Sequence, residues 1–395
     1  MLYYYLPTQK NTIDVSDFLF EDKQSEIIVS HTLQQYILSY KKQLDDYQNE
    51  WDNMKRITNP YEFIHSHIYG GPNAVAKIKP LSRSFFKMIE MCYDFELCSE
   101  SDKSMDTFHL AEGPGGFIEA IAHKRNNIGD TYYGMTLLDD NPSVPAWKKS
   151  GEFLAKNTNV IIESGPSGTG DLFLIENLIY CNNKYRNKMD LITADGGFDF
   201  SDNFNEQESS ATKLLLAETI FALSMQKVGG KFVLKVFDIT TKASIDILYL
   251  LSFFYNDISV CKPLTSRIAN SEKYIVCKKF TPPKNYDSIM KHLFSIYGTV
   301  MKLNSIHSIF KFSHNLLFIN KIEEINAIFG QQQVENISFT LSLIINRNKH
   351  ERIEQLKKTN LNKSIEWCDK YNVAHDSVGE TENIFLQKSK PYGRH

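Results

Sequence analysis

The sequence predicts an α/β fold: a mainly parallel sheet between residues 61 and 283, with helical N- and C-terminal extensions. Short apolar runs alternate with longer helix-forming segments along the middle of the chain. Three of those runs end in glycine-rich or acidic turns, at Gly113, Asp171 and Asp195. Polar, helix-spaced sequence lies on either side, set off by Asn59-Pro60 and Pro282-Pro283. Strand–helix alternation argues for parallel strands with crossover helices, and such sheets bind ligands beyond the carboxyl ends of their strands.

Residues 1–60 read as a helical extension, with Leu33, Tyr36, Ile37 and Tyr40 at loose helical spacing. Ser82–Tyr93 reads as a helix opened by Ser82 or Ser84. Phe108–Ala111 ends a strand and runs into Glu-Gly-Pro-Gly-Gly-Phe117. Glycines there let the chain turn sharply and let a ligand approach the backbone, while free N–H groups of the next helix face it. Alone, that turn fits a plain strand-to-helix connection equally well.

Further strands are expected at 132–137, 160–162, 189–194, 231–237, 258–261 and 273–279. Helices are expected at 172–185, at 211–227 with Gly229-Gly230 as its cap, and at 244–255. Residues 284–375 read as a helical C-terminal region, and the chain beyond 376 as a mobile basic tail.

Composition narrows the function classes. A chain of 395 residues can bury a sizeable core in one to three domains. A net charge of −3 excludes a uniformly basic nucleic-acid binder but leaves room for a local basic groove. The six cysteines form no CxxC pair and have no zinc-finger spacing, so they read as reduced intracellular thiols. His65 and His67 flank Ser66 but read more readily as surface or core histidines than as ligands, and no metal is expected. The start lacks the basic and apolar regions of a secretory signal, and the apolar stretch 245–255 is too short to span a bilayer. The expectation is an intracellular protein with no membrane association.

Four charged residues stand out. Lys235 interrupts an apolar strand, where a lysine is costly unless paired or reaching a cleft. Burial and a second cation would lower its pKa and make it a general base; the alternative is a lysine that snorkels out of the strand end. Asp195 precedes two glycines at a strand end and either points into a cleft or caps the turn. Lys87 lies one helical turn after Arg83, on one face. Glu272 opens the last strand.

A resemblance joins these residues. Lys262-Pro-Leu-Thr-Ser-Arg-Ile-Ala-Asn-Ser-Glu-Lys-Tyr-Ile-Val-Cys277 resembles the last motif of the FtsJ-like (RrmJ-type) RNA ribose 2′-O-methyltransferases, most closely the mRNA cap-1 branch. Ala194-Asp-Gly-Gly-Phe198, Gly229-Gly-Lys-Phe-Val-Leu-Lys-Val-Phe-Asp238, Ser82-Arg-Ser-Phe-Phe-Lys87 and Ala111-Glu-Gly-Pro-Gly-Gly-Phe117 resemble its other motifs, in the family's order. The resemblance implies a Rossmann-like sheet that binds S-adenosylmethionine (SAM), and a catalytic tetrad of Lys87, Asp195, Lys235 and Glu272.

It also implies cofactor contacts from Gly113, Gly115, Gly116, Phe117, Asp171 and Leu172; separately, Asp139 and Asp140 follow the second strand, where an Asp commonly binds a ribose hydroxyl. Substrate contacts fall on Arg83, Ser266, Arg267 and Ser271. The implied partner is capped RNA, with association with other capping or transcription proteins also open. Other readings are a ribose methyltransferase of rRNA or tRNA, and an RNA-binding subunit that kept the fold without activity. The Asn-, Lys- and Ile-heavy extensions suggest an AT-rich genome such as that of a large DNA virus, which would place the protein in the cytoplasm; otherwise the nucleus is expected.

Overall fold

A computed structural model describes residues 1–10, 12–67, 74–98, 103–139, 141, 144–197, 207–347 and 350–375. Asp140, Phe198 and the tail beyond 376 lie outside the described residues.

Eight strands form one sheet: β1 (Leu2–Leu6), β2 (Asp106–Leu110), β3 (Thr131–Met135), β4 (Val160–Ile162), β5 (Met189–Ala194), β6 (Gln226–Val236), β7 (Tyr255–Lys262) and β8 (Lys273–Phe280). Their order is β1-β7-β8-β6-β5-β2-β3-β4. The pairs from β4 through β6 are parallel; β6–β8, β7–β8 and β1–β7 are antiparallel. The sheet is therefore two halves of different type, less uniformly parallel than the sequence suggested. Strand order reverses between β2 and β5, since β2 continues to β3 on one side and β5 to β6 on the other. That switch point opens a crevice at the strand ends.

Helices cover both faces. On one side lie α3 (Ser84–Asp94) and α4 (Gly116–Arg125), packed on Leu191, Val233, Tyr274 and Val276. On the other lie α6 (Ile175–Tyr185), α7 (Gln207–Met225), α8 (Lys242–Leu251) and α9 (Tyr286–Val300), packed on Phe108, Ile192, Phe232 and Leu234. Strands covered on both faces need no polar alternation, which is why β2 and β5 read as apolar runs. The short α5 (Gly151–Lys156) precedes β4. In the extensions, α1 (His31–Lys42) and α2 (Gln48–Ile57) pack with α10 (Leu316–Ile345) and α11 (His350–Lys370). Leu33 of α1 lies so close to α10 that a Cβ on Gly330 would meet it at 2.6 Å.

Three expectations differ from the structure. Leu2–Leu6 is a strand on the sheet edge rather than part of a helical extension. Gly229-Gly230 does not cap α7, because the chain passes from Met225 straight into β6. Gln226 pairs with Met189 and Lys231 with Leu191, so the residues between bulge out, with Gly229 at φ +79°. The helix expected at 244–255 stops at Leu251, and Tyr255 begins β7. Asp246 within α8 is fully buried yet satisfied: it accepts from the Ile309 N–H at 2.6 Å and pairs with Lys242 at 3.0 Å and with His314. It ties the loop before α10 to the core. No described helix is long and apolar enough to cross a membrane.

Candidate active site

Strand ends and one helix bring four distant residues together. Lys235 ends β6 and lies directly opposite Tyr274 of β8, so both side chains share the α3 face. Asp195 follows β5, and its N–H donates to the Leu110 carbonyl at 3.3 Å, next to the glycine turn. Lys87 comes down from α3, buried among Phe85, Phe86 and Met88. Glu272 immediately precedes β8.

Lys87 Nζ is 2.6 Å from Glu272 Oε1 and donates to Tyr274 OH at 3.4 Å. Tyr274 OH donates to Asp195 Oδ1 at 2.9 Å. Lys235 Nζ donates to the Asp195 carbonyl at 2.7 Å and lies 3.3 Å from Asp195 Oδ1. All four expected tetrad residues thus belong to one network, and Tyr274 is the link between its two ion pairs. Tyr274 stood inside the last motif without a role; a tyrosine two places after the acid, on the same strand as its partner's neighbour, was the available signal.

The electrostatics differ from expectation at Lys235. Burial pushes its pKa down, but Asp195, Glu272 and Glu218 outweigh it and the net shift is upward. Lys87 cannot provide the expected depression because Glu272 compensates its charge at close contact. Burial opposes ionisation of Glu272 as well, yet Lys87, Lys235 and Lys262 hold its carboxyl well below the usual range. Lys262, which opens the last motif, turns inward. Its Nζ donates to Asn270 O at 2.7 Å, Asn270 Oδ1 at 2.8 Å and Glu272 O at 2.8 Å, clamping the loop that presents Glu272. α10 supports the same loop through Gln333, which donates to Ala269 O at 2.9 Å.

The expected substrate residues divide. Arg83 lies at the N-terminal end of α3 and acts electrostatically on Tyr274, with no protein partner among the described residues. The other three are used internally. Ser266 donates to Glu272 Oε1 at 2.8 Å. Arg267 forms two bonds to the buried Glu62, at 2.6 and 3.1 Å. Ser271 donates to Gln207 at 3.2 Å. Ser266 and Ser271 are buried and Arg267 is half-buried, and each would give up a protein contact to bind substrate.

On the parallel side the site is backbone. A Cβ on Gly113 would lie 2.3 Å from the Ala146 carbonyl, and one on Gly116 2.2 Å from the Ser82 and Ser84 hydroxyls. Gly115 has φ +102° and opens α4 with no side-chain cap, leaving that helix's first N–H groups free. Beside this turn is a cleft of about 450 Å³ lined by Leu138, Asp139, Ala146, Trp147 and Lys148. Gly170, at φ +63°, packs on the Thr136 carbonyl and brings the Asp171 segment to the same strand end. Asp171 Oδ1 accepts from the Phe173 N–H at 2.8 Å.

The side chains of Phe117 and Leu172 pack into the core. Phe117 is buried 5.9 Å from the Tyr274 ring, and the Leu172 carbonyl accepts from Tyr297 OH at 2.5 Å. His65 is half-buried and hydrogen-bonded to Ser66 at 3.2 Å. Among the described residues no group of three His, Cys, Asp or Glu is placed to hold a metal ion, and all six cysteines are free and buried.

The FtsJ-like methyltransferase family matches residues 80–280, from the start of α3 through β8. The chain belongs to that family. The match covers both halves of the site, glycine turn and ion network alike. The methyl donor of the FtsJ-like methyltransferases is S-adenosylmethionine.

Similarity to curated proteins extends further. Over 357 residues the chain is 28% identical to "Cap-specific mRNA (nucleoside-2'-O-)-methyltransferase 2" of Pongo abelii, covering 84% of this chain and 45% of that protein. The Danio rerio protein of that name is 30% identical, with 80% and 44% covered. "Cap-specific mRNA (nucleoside-2'-O-)-methyltransferase 1" of Mus musculus is 29% identical, with 75% and 36% covered. The chain therefore spans less than half the length of these relatives.

Proposed function

We propose that the chain is a cap-specific mRNA (nucleoside-2′-O-)methyltransferase, moving a methyl group from SAM to a ribose 2′-OH next to the 5′ cap and so forming cap 1. The observation that carries this reading is the single network of Lys87, Asp195, Lys235, Glu272 and Tyr274 beside an uncapped helix N-terminus. The residues of the parallel side fit the donor. Free N–H groups of α4 suit its carboxylate, and Asp139 suits a ribose hydroxyl.

Bound SAM supplies an electrophilic methyl group. Lys235 then works on the substrate: its neutral form takes the 2′-OH proton as the oxygen attacks the methyl group, and the ammonium so formed stabilises charge on that oxygen. Asp195 orients Lys235 through both its carbonyl and its carboxylate. Lys87, fixed by Glu272, places a second cation near the developing alkoxide. Because the Lys235 pKa is raised, the base form grows with pH, so the rate climbs from neutral pH toward pH 9.

The test is methyl transfer to capped, N7-methyl-capped and uncapped RNA, with the modified ribose mapped. Transfer to the first nucleotide of capped RNA alone is expected. Equal rates on uncapped RNA would overturn cap specificity and favour an rRNA or tRNA substrate. SAM binding with no transfer to any RNA would leave an inactive RNA-binding module. Relatives numbered 1 and 2 match about equally well, so the mapped position decides the cap-1 assignment.

A further inference from the structure

We infer that Glu218 is a positioning residue for this site: from the opposite face of the sheet it holds the peptide unit joining Asp195 to Gly196, and through that unit fixes Lys235. The inference rests on the proposed methyl-transfer reading for its kinetic consequences, though not for its geometry.

Glu218 lies in the middle of α7, in Leu214-Leu-Leu-Ala-Glu-Thr-Ile-Phe221, and is completely buried. A carboxyl group in such a setting is expensive unless it has a partner. Its Oε1 accepts from the Gly196 N–H at 3.2 Å, while Oε2 is buried without a hydrogen-bond partner among the described residues. Across the same peptide bond, the Asp195 carbonyl accepts from Lys235 Nζ at 2.7 Å.

The N–H and C=O of one planar peptide unit point in opposite directions. Glu218 and Lys235 therefore grip a single rigid plate from two sides, α7 below and β6 beside. The Asp195 carboxylate hangs from that plate, so a rotation would carry Oδ1 away from both Tyr274 (2.9 Å) and Lys235 (3.3 Å). The arrangement also accounts for glycine at 196. A Cβ there would lie 2.3 Å from Glu218 Oε1, with Leu214 at 2.8 Å and Ala111 at 3.1 Å.

Burial raises the Glu218 carboxyl well above the ordinary range; Lys235 opposes that shift, and Asp195 and Glu112 add to it. Burial thus favours the neutral form of Glu218, whose shape and hydrogen-bonding capacity a glutamine matches.

The experiment compares Glu218→Gln, Glu218→Leu and Gly196→Ala with the wild-type chain. Its readouts are kcat for methyl transfer, SAM affinity, and titration of Lys235 followed by NMR of its ¹³Cε. E218Q, which keeps an acceptor for the Gly196 N–H, is expected within about twofold of wild-type kcat, with the Lys235 titration moved down only by loss of the Glu218 charge and less than in E218L. E218L is expected to lose about 10- to 100-fold in kcat from misplacement, with SAM affinity nearly unchanged and the Lys235 titration moved to lower pH. G196A, which pushes the carboxyl off the N–H, reproduces the kcat loss and the titration shift even if E218L does not fold. A wild-type titration and kcat in both E218L and G196A would overturn the inference. So would an E218Q defect equal to that of E218L, because Glu218 would then act through charge or proton transfer. If the wild-type chain methylates no RNA, the functional reading fails while the Lys235 titration still decides the positioning role.

Discussion

The two halves of the sheet meet at the site with different materials. The parallel half offers main chain: three glycines packed so closely that a Cβ at Gly113 or Gly116 has no room, and a helix opening without a cap. The antiparallel half offers charges: Lys235, Glu272 and Tyr274, on or next to two paired strands, joined to Lys87 from α3. A donor shared by a whole family can be recognised by backbone shape, which side-chain drift does not erase. Proton handling needs titratable groups at set distances, and those require side chains locked by neighbours. The division predicts that damage to one half appears first in one measurable quantity.

The sharpest test is Lys235→Ala. It should lower methyl transfer about 10³-fold and leave SAM affinity, measured by calorimetry, close to wild type. Loss of SAM binding would erase the division between the halves. Next comes Glu62→Gln, which weakens the anchor of Arg267 on the charged side. Burial opposes ionisation of Glu62, but Arg267 and Asn59 bring its pKa down to about 2. A lowered carboxyl pKa stabilises the fold above the unfolded value near 4.5 and ceases to do so as pH falls toward 2. The variant should lose roughly 2–3 kcal/mol at pH 7, and the gap in urea denaturation should close between pH 4.5 and pH 2. A gap that persists at pH 2 would mean that the carboxylate charge is not its source.

Gly113→Ala addresses the parallel half. Its Cβ would strike the Ala146 carbonyl, and such overpacking costs about 1–3 kcal/mol. SAM affinity should fall about tenfold or more, with the Lys235 titration unmoved. Tyr274→Phe is the mildest change, removing the hydroxyl that links the two ion pairs. About a tenfold loss in kcat is expected from one misoriented pair; an unchanged kcat would show that the pairs act separately.

The sequence made some of this visible and hid the rest for physical reasons. Strand β5 was legible to the residue because a strand buried on both faces reads as an apolar run, and the edge strand β4 because Val160-Ile-Ile162 is a short β-branched apolar run. Of the four charged residues that meet at the site, Lys235 stood out because a charge inside an apolar strand is costly enough to need a reason, whereas Lys87 and Glu272 were joined to it only by the resemblance. Leu2–Leu6 was missed because an isolated apolar-aromatic pentamer reveals nothing of its partner, β7, more than 250 residues away. Gly229-Gly230 was misread because a glycine pair after a helix serves a cap and a bulge equally well. The internal partners of Ser266, Arg267 and Ser271 were hidden because polar side chains in a motif do not disclose whether they face inward. The Lys235 shift could not be signed without knowing that Glu272 and Asp195 lie nearer to it, in effect, than the charge of Lys87.

The passage of α7 into β6 without a connecting loop has a mechanical meaning. Glu218 and Lys235 sit on consecutive rods of one continuous lever, hinged only at the bulge around Gly229. Chain inserted between Met225 and Lys231 would lengthen that lever and let its two grips drift apart, even though every side chain in the site remained. The junction between Thr281 and Asn285, which joins the domain to α9, carries no such pair. The same insertion placed there should spare methyl transfer, making these two short segments a natural pair of sites for engineering the protein.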